Sequence, residues 1–144
     1  MKKIIALLLW FTCVMVACES GKEKSERRSD PSRYPNGGSE LAWLMRDLTD
    51  SLEIMRASLL QGKTVNFDLP IDHLLSAVPT EEGKTDDPHY QEMAKEFQRY
   101  LKEQPIAITQ EQKDYFDGLV NRCASCHQKL CPGPLQKINK LKLP

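Results

Sequence analysis

From Glu40 onward, the apolar positions of this chain advance by threes and fours. Leu41, Leu44, Met45, Leu48, Leu52, Met55 and Leu59 form one stripe, which predicts a long amphipathic helix over residues 40–61. Ser39 is its expected N-cap and Gly62 the residue that closes it. Residues 64–70 read as a loop. A shorter helix is expected over 69–77, with Ile71, Leu74, Leu75 and Val78 inward, ended by Pro79 and the polar run 80–86. Asp87 and Pro88 supply a cap and first position for a third helix reaching Gln104, whose Met93, Phe97, Tyr100 and Leu101 face the core. Thr109 with Gln112 reads as a capping box opening a fourth. Its inner face is Phe116, Leu119, Val120, Cys123, Cys126, His127 and Leu130, and Pro132-Gly133-Pro134 stops it. No strand-like alternation interrupts this series. The predicted fold is all-α, an antiparallel four-helix bundle. In the tail, Leu135, Ile138, Leu141 and Leu143 interleave with Lys137, Lys140 and Lys142. The apolar side is expected to fold back over the end of the bundle or the edge of a site carried by the last long helix, leaving Lys140 and Lys142 solvated.

Before Glu40 the pattern changes twice. Residues 1–17 carry Lys2 and Lys3 and then an apolar run, a secretory signal too short for a membrane span. The run ends Val14-Met15-Val16-Ala17-Cys18, which resembles a bacterial lipobox with Met15 where Leu is commoner. That likeness implies cleavage before Cys18 and its lipidation, and two or three acyl chains anchor stably. Glu19 follows the anchor cysteine, where inner-membrane retention usually has Asp. The expected location is therefore the bacterial outer membrane, or a membrane facing the periplasm. The remainder of residues 18–39 is charged, rich in Ser, Gly and Pro, and nearly free of apolar side chains. It reads as a disordered tether, with residues 40–144 as one domain.

Chemistry concentrates at Cys123-Ala124-Ser125-Cys126-His127, the C-x-x-C-H signature of c-type haem attachment. On a helix, two thiols three residues apart lie on one face, so both can form thioethers to one edge of a porphyrin. The adjacent His127 can then ligate iron from the proximal side. Two other readings use the same residues. A thioredoxin-type dithiol would need a βαβ context, which the helical pattern lacks. A Cys₃His zinc site from Cys123, Cys126, Cys131 and His127 would crowd four ligands into nine residues. Covalent haem c is the expected cofactor, in agreement with export. Of the five cysteines, Cys13 leaves with the signal, Cys18 takes lipid and Cys123 and Cys126 take haem. Cys131 has no partner, so no disulfide framework is expected, and it is read as a small buried apolar residue. Twenty basic and twenty acidic residues balance, and loss of Lys2 and Lys3 leaves the mature chain slightly negative. That gives no basis for nucleic-acid binding.

A four-helix bundle carrying this motif on its last helix resembles the cytochrome c′ family, the class II c-type cytochromes. The segment CASCHQKLCPGP is similar to small bacterial lipoprotein members. The likeness implies a distal residue from the first helix, which in low-spin relatives is a Met several turns before the helix-ending Gly. Met45 stands at a similar interval before Gly62. It is expected either to ligate iron or to pack on the distal side, whereas His73 and His89 are expected at the surface. Family members commonly continue the motif with Tyr and a basic residue. Leu130 and Cys131 stand there instead, so the resemblance does not by itself imply the gas-ligand behaviour typical of the family.

The resulting expectation is a membrane-anchored monohaem cytochrome carrying single electrons outside the cytoplasmic membrane. Its partners would be redox proteins, a homodimer stays open, and no constellation of catalytic acid, base or nucleophile is visible. The alternatives are a five-coordinate module binding NO or CO, and a zinc-stabilised structural lipoprotein.

Overall fold

The computed structural model describes residues 38–105 and 109–144. The signal, Cys18 and nearly all of the tether lie outside the described residues. The helical unit is Ser39–Pro144. It has no strand among the described residues and consists of α1 Glu40–Leu60, a 3₁₀ turn Lys84–Asp86, α2 Pro88–Leu101, α3 Thr109–Leu130 and a short α4 Leu135–Asn139. No described helix is long and apolar enough to cross a membrane.

The ends of α1 follow from local chemistry. Ser39 Oγ accepts the Ala42 N–H at 3.2 Å, an N-cap bond to the third helical residue. At the other end Gly62 adopts φ 71°, its N–H donates to Leu59 O, and Lys63 N–H donates to Ser58 O. This is a Schellman closure, and the left-handed residue it needs is glycine. Leu48, Leu52, Met55 and Leu59 are buried, while Leu41, Leu44 and Met45 pack against the core from its margin. Asp87 caps α2 by accepting from His89 N–H (2.7 Å) and Tyr90 N–H (3.4 Å), with Pro88 in the first position.

Three expectations are corrected. The helix expected at 69–77 is a series of turns. Three of its carbonyls accept from side chains of α2, Tyr90 Oη at Leu74 O (2.6 Å), Gln91 Nε2 at Leu75 O (3.1 Å) and Gln98 Nε2 at Ile71 O (3.4 Å), while His73 O accepts from Ser76 and Ala77 N–H within the turns. A two-turn helix between Pro70 and Pro79 nucleates poorly, and these bonds satisfy the same acceptors without one. Val78, expected inward, is 63% exposed. Its backbone supplies the contact instead, since its carbonyl accepts from Leu41 N–H (3.0 Å) at the start of α1 and its N–H donates to Glu40 Oε2 (3.0 Å). Helix α2 stops at Leu101, three residues before Gln104.

Helix directions follow the expected antiparallel plan, in which the helices at 40–60 and 88–101 run parallel because the segment between them runs back. The first halves of α1 and α2 meet the end of α3 around one cleft. At the opposite end Tyr100 stacks on Tyr115, with ring centroids 4.7 Å apart. Helices α1 and α2 therefore run the same way and α3 runs against both. The non-helical segment 61–87 makes the return, and amide side chains hold it. Gln112 accepts from Val65 N–H (3.0 Å) and donates to Val65 O (2.8 Å), while Gln104 accepts from Phe67 N–H (3.3 Å). Gln112 is thus engaged across the fold, and the Thr109 side chain of the expected capping box lies outside the described residues.

The fourth helix is the tail. Ile138 and Leu141 are buried. Arg56 Nε donates to Lys142 O (3.2 Å), Leu143 N–H donates to Asp117 Oδ1 (3.1 Å), and Lys137 approaches Glu53 at 3.6 Å. These partners are in mid-α1 and mid-α3, so the tail lies along the flank of those helices and not over the bundle end.

Candidate functional site

The last two turns of α3 carry the motif into a narrow, half-open cleft of about 60 Å³, smaller than a typical small-ligand site. Arg122, Cys123, Cys126 and His127 line it from α3, and Met45 and Leu48 from α1. Tyr90, Met93, Ala94 and Phe97 complete it from α2, with Leu74 from the turn segment. Spacing brings the α3 residues together, because positions 123, 126 and 127 share the inward face that begins with Phe116, Leu119 and Val120. The lining is apolar apart from the motif itself and Arg122. Tyr90 presents its ring, since its hydroxyl is spent on Leu74 O.

His127 is oriented by its own helix end. Nδ1 lies 3.0 Å from the carbonyl of Cys131, one turn on. A carbonyl can only accept, so Nδ1 carries the proton and Nε2 keeps its lone pair for a ligand. Burial lowers the imidazole's pKa from its ordinary value, and the bond to Cys131 O partly opposes this. The neutral ring that results is the form that binds metal. Cys123 is pushed up to about 12 by burial, with Cys126 adding to the shift. Burial also raises Cys126, helped by Cys131. Redox-active C-x-x-C pairs have depressed thiol pKa values, so the environment opposes a thioredoxin-type role.

Met45 lines the cleft from the first third of α1. Met55 is buried deeper along the same stripe, outside the cleft lining, and Met93 lines the cleft from α2. His73 and His89 are exposed, as expected. Cys131 is corrected: it is exposed and not buried beside the motif, because the chain leaves the helix at that residue and turns through Pro132. Cys18 lies outside the described residues. Among the described residues, no three His, Cys, Asp or Glu side chains converge to hold a metal ion, so the Cys₃His zinc arrangement is not assembled.

Two cations, Arg122 in the cleft lining and Lys84 at the end of α3, escaped the sequence reading. Arg122 lies over the Tyr100 ring, 3.5 Å from its centroid, donates to Gly118 O at 3.2 Å, and stands 3.7 Å from Glu96. Gly118 permits this, since a Cβ there would run into the Tyr100 ring. Lys84 reaches the end of α3 from the 3₁₀ turn and donates to Leu130 O at 3.0 Å. Its position follows Gly83, whose φ of 74° turns the chain, but a glycine in a polar run does not say where the next residue points.

The assembly offers two thiols on one helical face, an imidazole with a free nitrogen and a thioether, all opening on one apolar cleft. Those are donors suited to a transition metal in a hydrophobic setting. Comparison with protein families, curated proteins and solved structures gives no match to this chain.

Proposed function

We propose that this chain is a monohaem c-type cytochrome, anchored to a bacterial membrane through lipid on Cys18, that carries single electrons between redox proteins outside the cytoplasmic membrane. The observation that carries the reading is the convergence of Cys123, Cys126, His127 and Met45 on one cleft, with His127 Nδ1 tied to a carbonyl. The residues fit the group. Cys123 and Cys126 would hold it as thioethers, His127 Nε2 would be the proximal iron ligand and Met45 the distal one. When bound, haem c supplies a one-electron ferric–ferrous couple, and a His/Met ligand pair raises its potential.

The chain's own part is to hold and exclude. The Cys131 carbonyl fixes the imidazole ring plane and tautomer. Leu48, Leu74, Phe97 and the Tyr90 ring keep water from the cleft, which disfavours extra charge inside it and so favours the reduced state. Likeness to the cytochrome c′ family rests on the motif, its place on the last long helix and Met45. The non-helical return at 61–87 departs from the plan of four long helices.

Absorption of the purified protein from a haem-attaching host tests the reading. A sharp reduced α band with a far-red methionine–iron charge-transfer band is expected, and Met45→Ala should abolish the far-red band. A broad high-spin spectrum that shifts on adding NO, unchanged by Met45→Ala, would favour the gas-binding module instead.

A further inference from the structure

We infer that Lys84 is the positioning residue for the His127 imidazole and brings a positive charge to that end of α3, a role that rests on the haem reading. Lys84 Nζ donates to Leu130 O at 3.0 Å and pairs with Glu81 Oε2 at 2.8 Å. The carbonyl of the next residue, Cys131, accepts from His127 Nδ1 at 3.0 Å. These acceptors belong to consecutive residues at the end of α3, so the ammonium that fixes one restrains the other.

The cation is delivered by a built element. Gly83 turns the chain with φ 74°, and the 3₁₀ turn Lys84–Asp86 follows. Thr85 is buried at its centre, and Thr85 O accepts from Gln91 Nε2 at 2.6 Å, which ties the turn to α2. Lys84 is 23% exposed and its Glu81 partner 74%, so the cation is the fixed member of the pair and the carboxylate the solvated one. A helix C-terminus presents unpaired carbonyls and negative partial charge, which a lysine placed there neutralises.

Without Lys84 the Leu130 carbonyl loses its partner, the last turn of α3 loosens, and His127 loses a fixed acceptor. A positive charge at this end of α3 favours the reduced state of a metal bound to His127.

The test uses the full chain from a haem-attaching host, with Lys84→Met, Lys84→Arg and Glu81→Gln. The readouts are reduction potential and exchange of the His127 Nδ1 proton by NMR. Lys84→Met is expected to lower the reduction equilibrium constant about threefold or more, where tenfold is 59 mV for one electron. It should also speed Nδ1 proton exchange. Lys84→Arg should restore most of both, and Glu81→Gln should move the potential the opposite way. An unchanged potential and exchange rate in Lys84→Met, even with reduced thermal stability, would show that Lys84 only caps the helix and would overturn the inference. A wild-type chain without haem would contradict the haem reading alone. In that chain the NMR comparison still decides, since Lys84→Met should weaken the Nδ1–carbonyl bond and an unaltered signal overturns the inference.

Discussion

Tyr90 ties three parts of the molecule together with one side chain. Its ring lines the cleft, its hydroxyl donates to Leu74 O, and that bond helps hold the turn segment in non-helical form. Burial pushes its phenol up to about 12, and the charge of Cys126 adds to the shift. A folded-state pKa above the unfolded value near 10 contributes stability that is complete below pH 10 and is lost between 10 and 12. Tyr115 is raised to about 12 by burial and adds to the same window. Tyr90→Phe is therefore expected to shrink the fall in stability between pH 9 and pH 11.5 by about 1–2 kcal/mol, measured by urea titration at each pH. An identical fall in both proteins would contradict this. At this scale the sequence was readable where chemistry acts locally. The caps at Ser39 and Asp87, the glycine at 62 and the inward face of the motif all depend on neighbours within four residues. Cys131, Val78 and Lys84 depend on where a distant segment passes, and no local pattern carries that.

Among elements, the stripe on α1 and the inner face of α3 were legible because a 3.6-residue period persists over many turns. The segment 69–77 has apolar residues at helical spacing too, yet three of its carbonyls accept from α2 side chains. A short run cannot reveal whether its backbone will be satisfied by itself or by another element. The Val65–Gln112 pairing is a second instance, in which a side-chain amide meets both polar groups of a backbone unit. Gln112 is nearly fully buried, so Gln112→Leu leaves the Val65 N–H and C=O without partners. A loss of about 1–3 kcal/mol is expected in chemical denaturation. The bonds anchor segment 61–87 at the end away from the cleft, so the reduced absorption spectrum should not change. A stability within about 0.5 kcal/mol of wild type would contradict this role.

For the whole molecule, the return segment and the tail replace what a regular bundle would build from a full helix. The tail crosses the flank of α1 and α3, buries Ile138 and Leu141, and is fastened through Arg56, Asp117 and Glu53. Deleting residues 135–144 is expected to cost about 3–5 kcal/mol from the two buried aliphatic side chains and to lower the thermal midpoint by more than about 10 °C. A midpoint within a few degrees of the full chain would contradict that packing. The all-α class and the parallel course of α1 and α2 were legible from the pattern of apolar positions, whereas the form of the return between them, turns and a 3₁₀ turn in place of a helix, was not. A small domain with a cleft this close to its core would gain stability from a covalently held, largely apolar group. The most direct measurement is the intact mass of the protein purified from a haem-attaching host, with the peptide spanning Cys123 to His127 isolated from it. A mass increase of one haem is expected, retained on that peptide, together with a pyridine haemochrome showing two saturated vinyl positions. A chain at its bare mass, with free thiols at Cys123 and Cys126 and no haemochrome, would contradict covalent haem attachment and the electron-carrying role built on it.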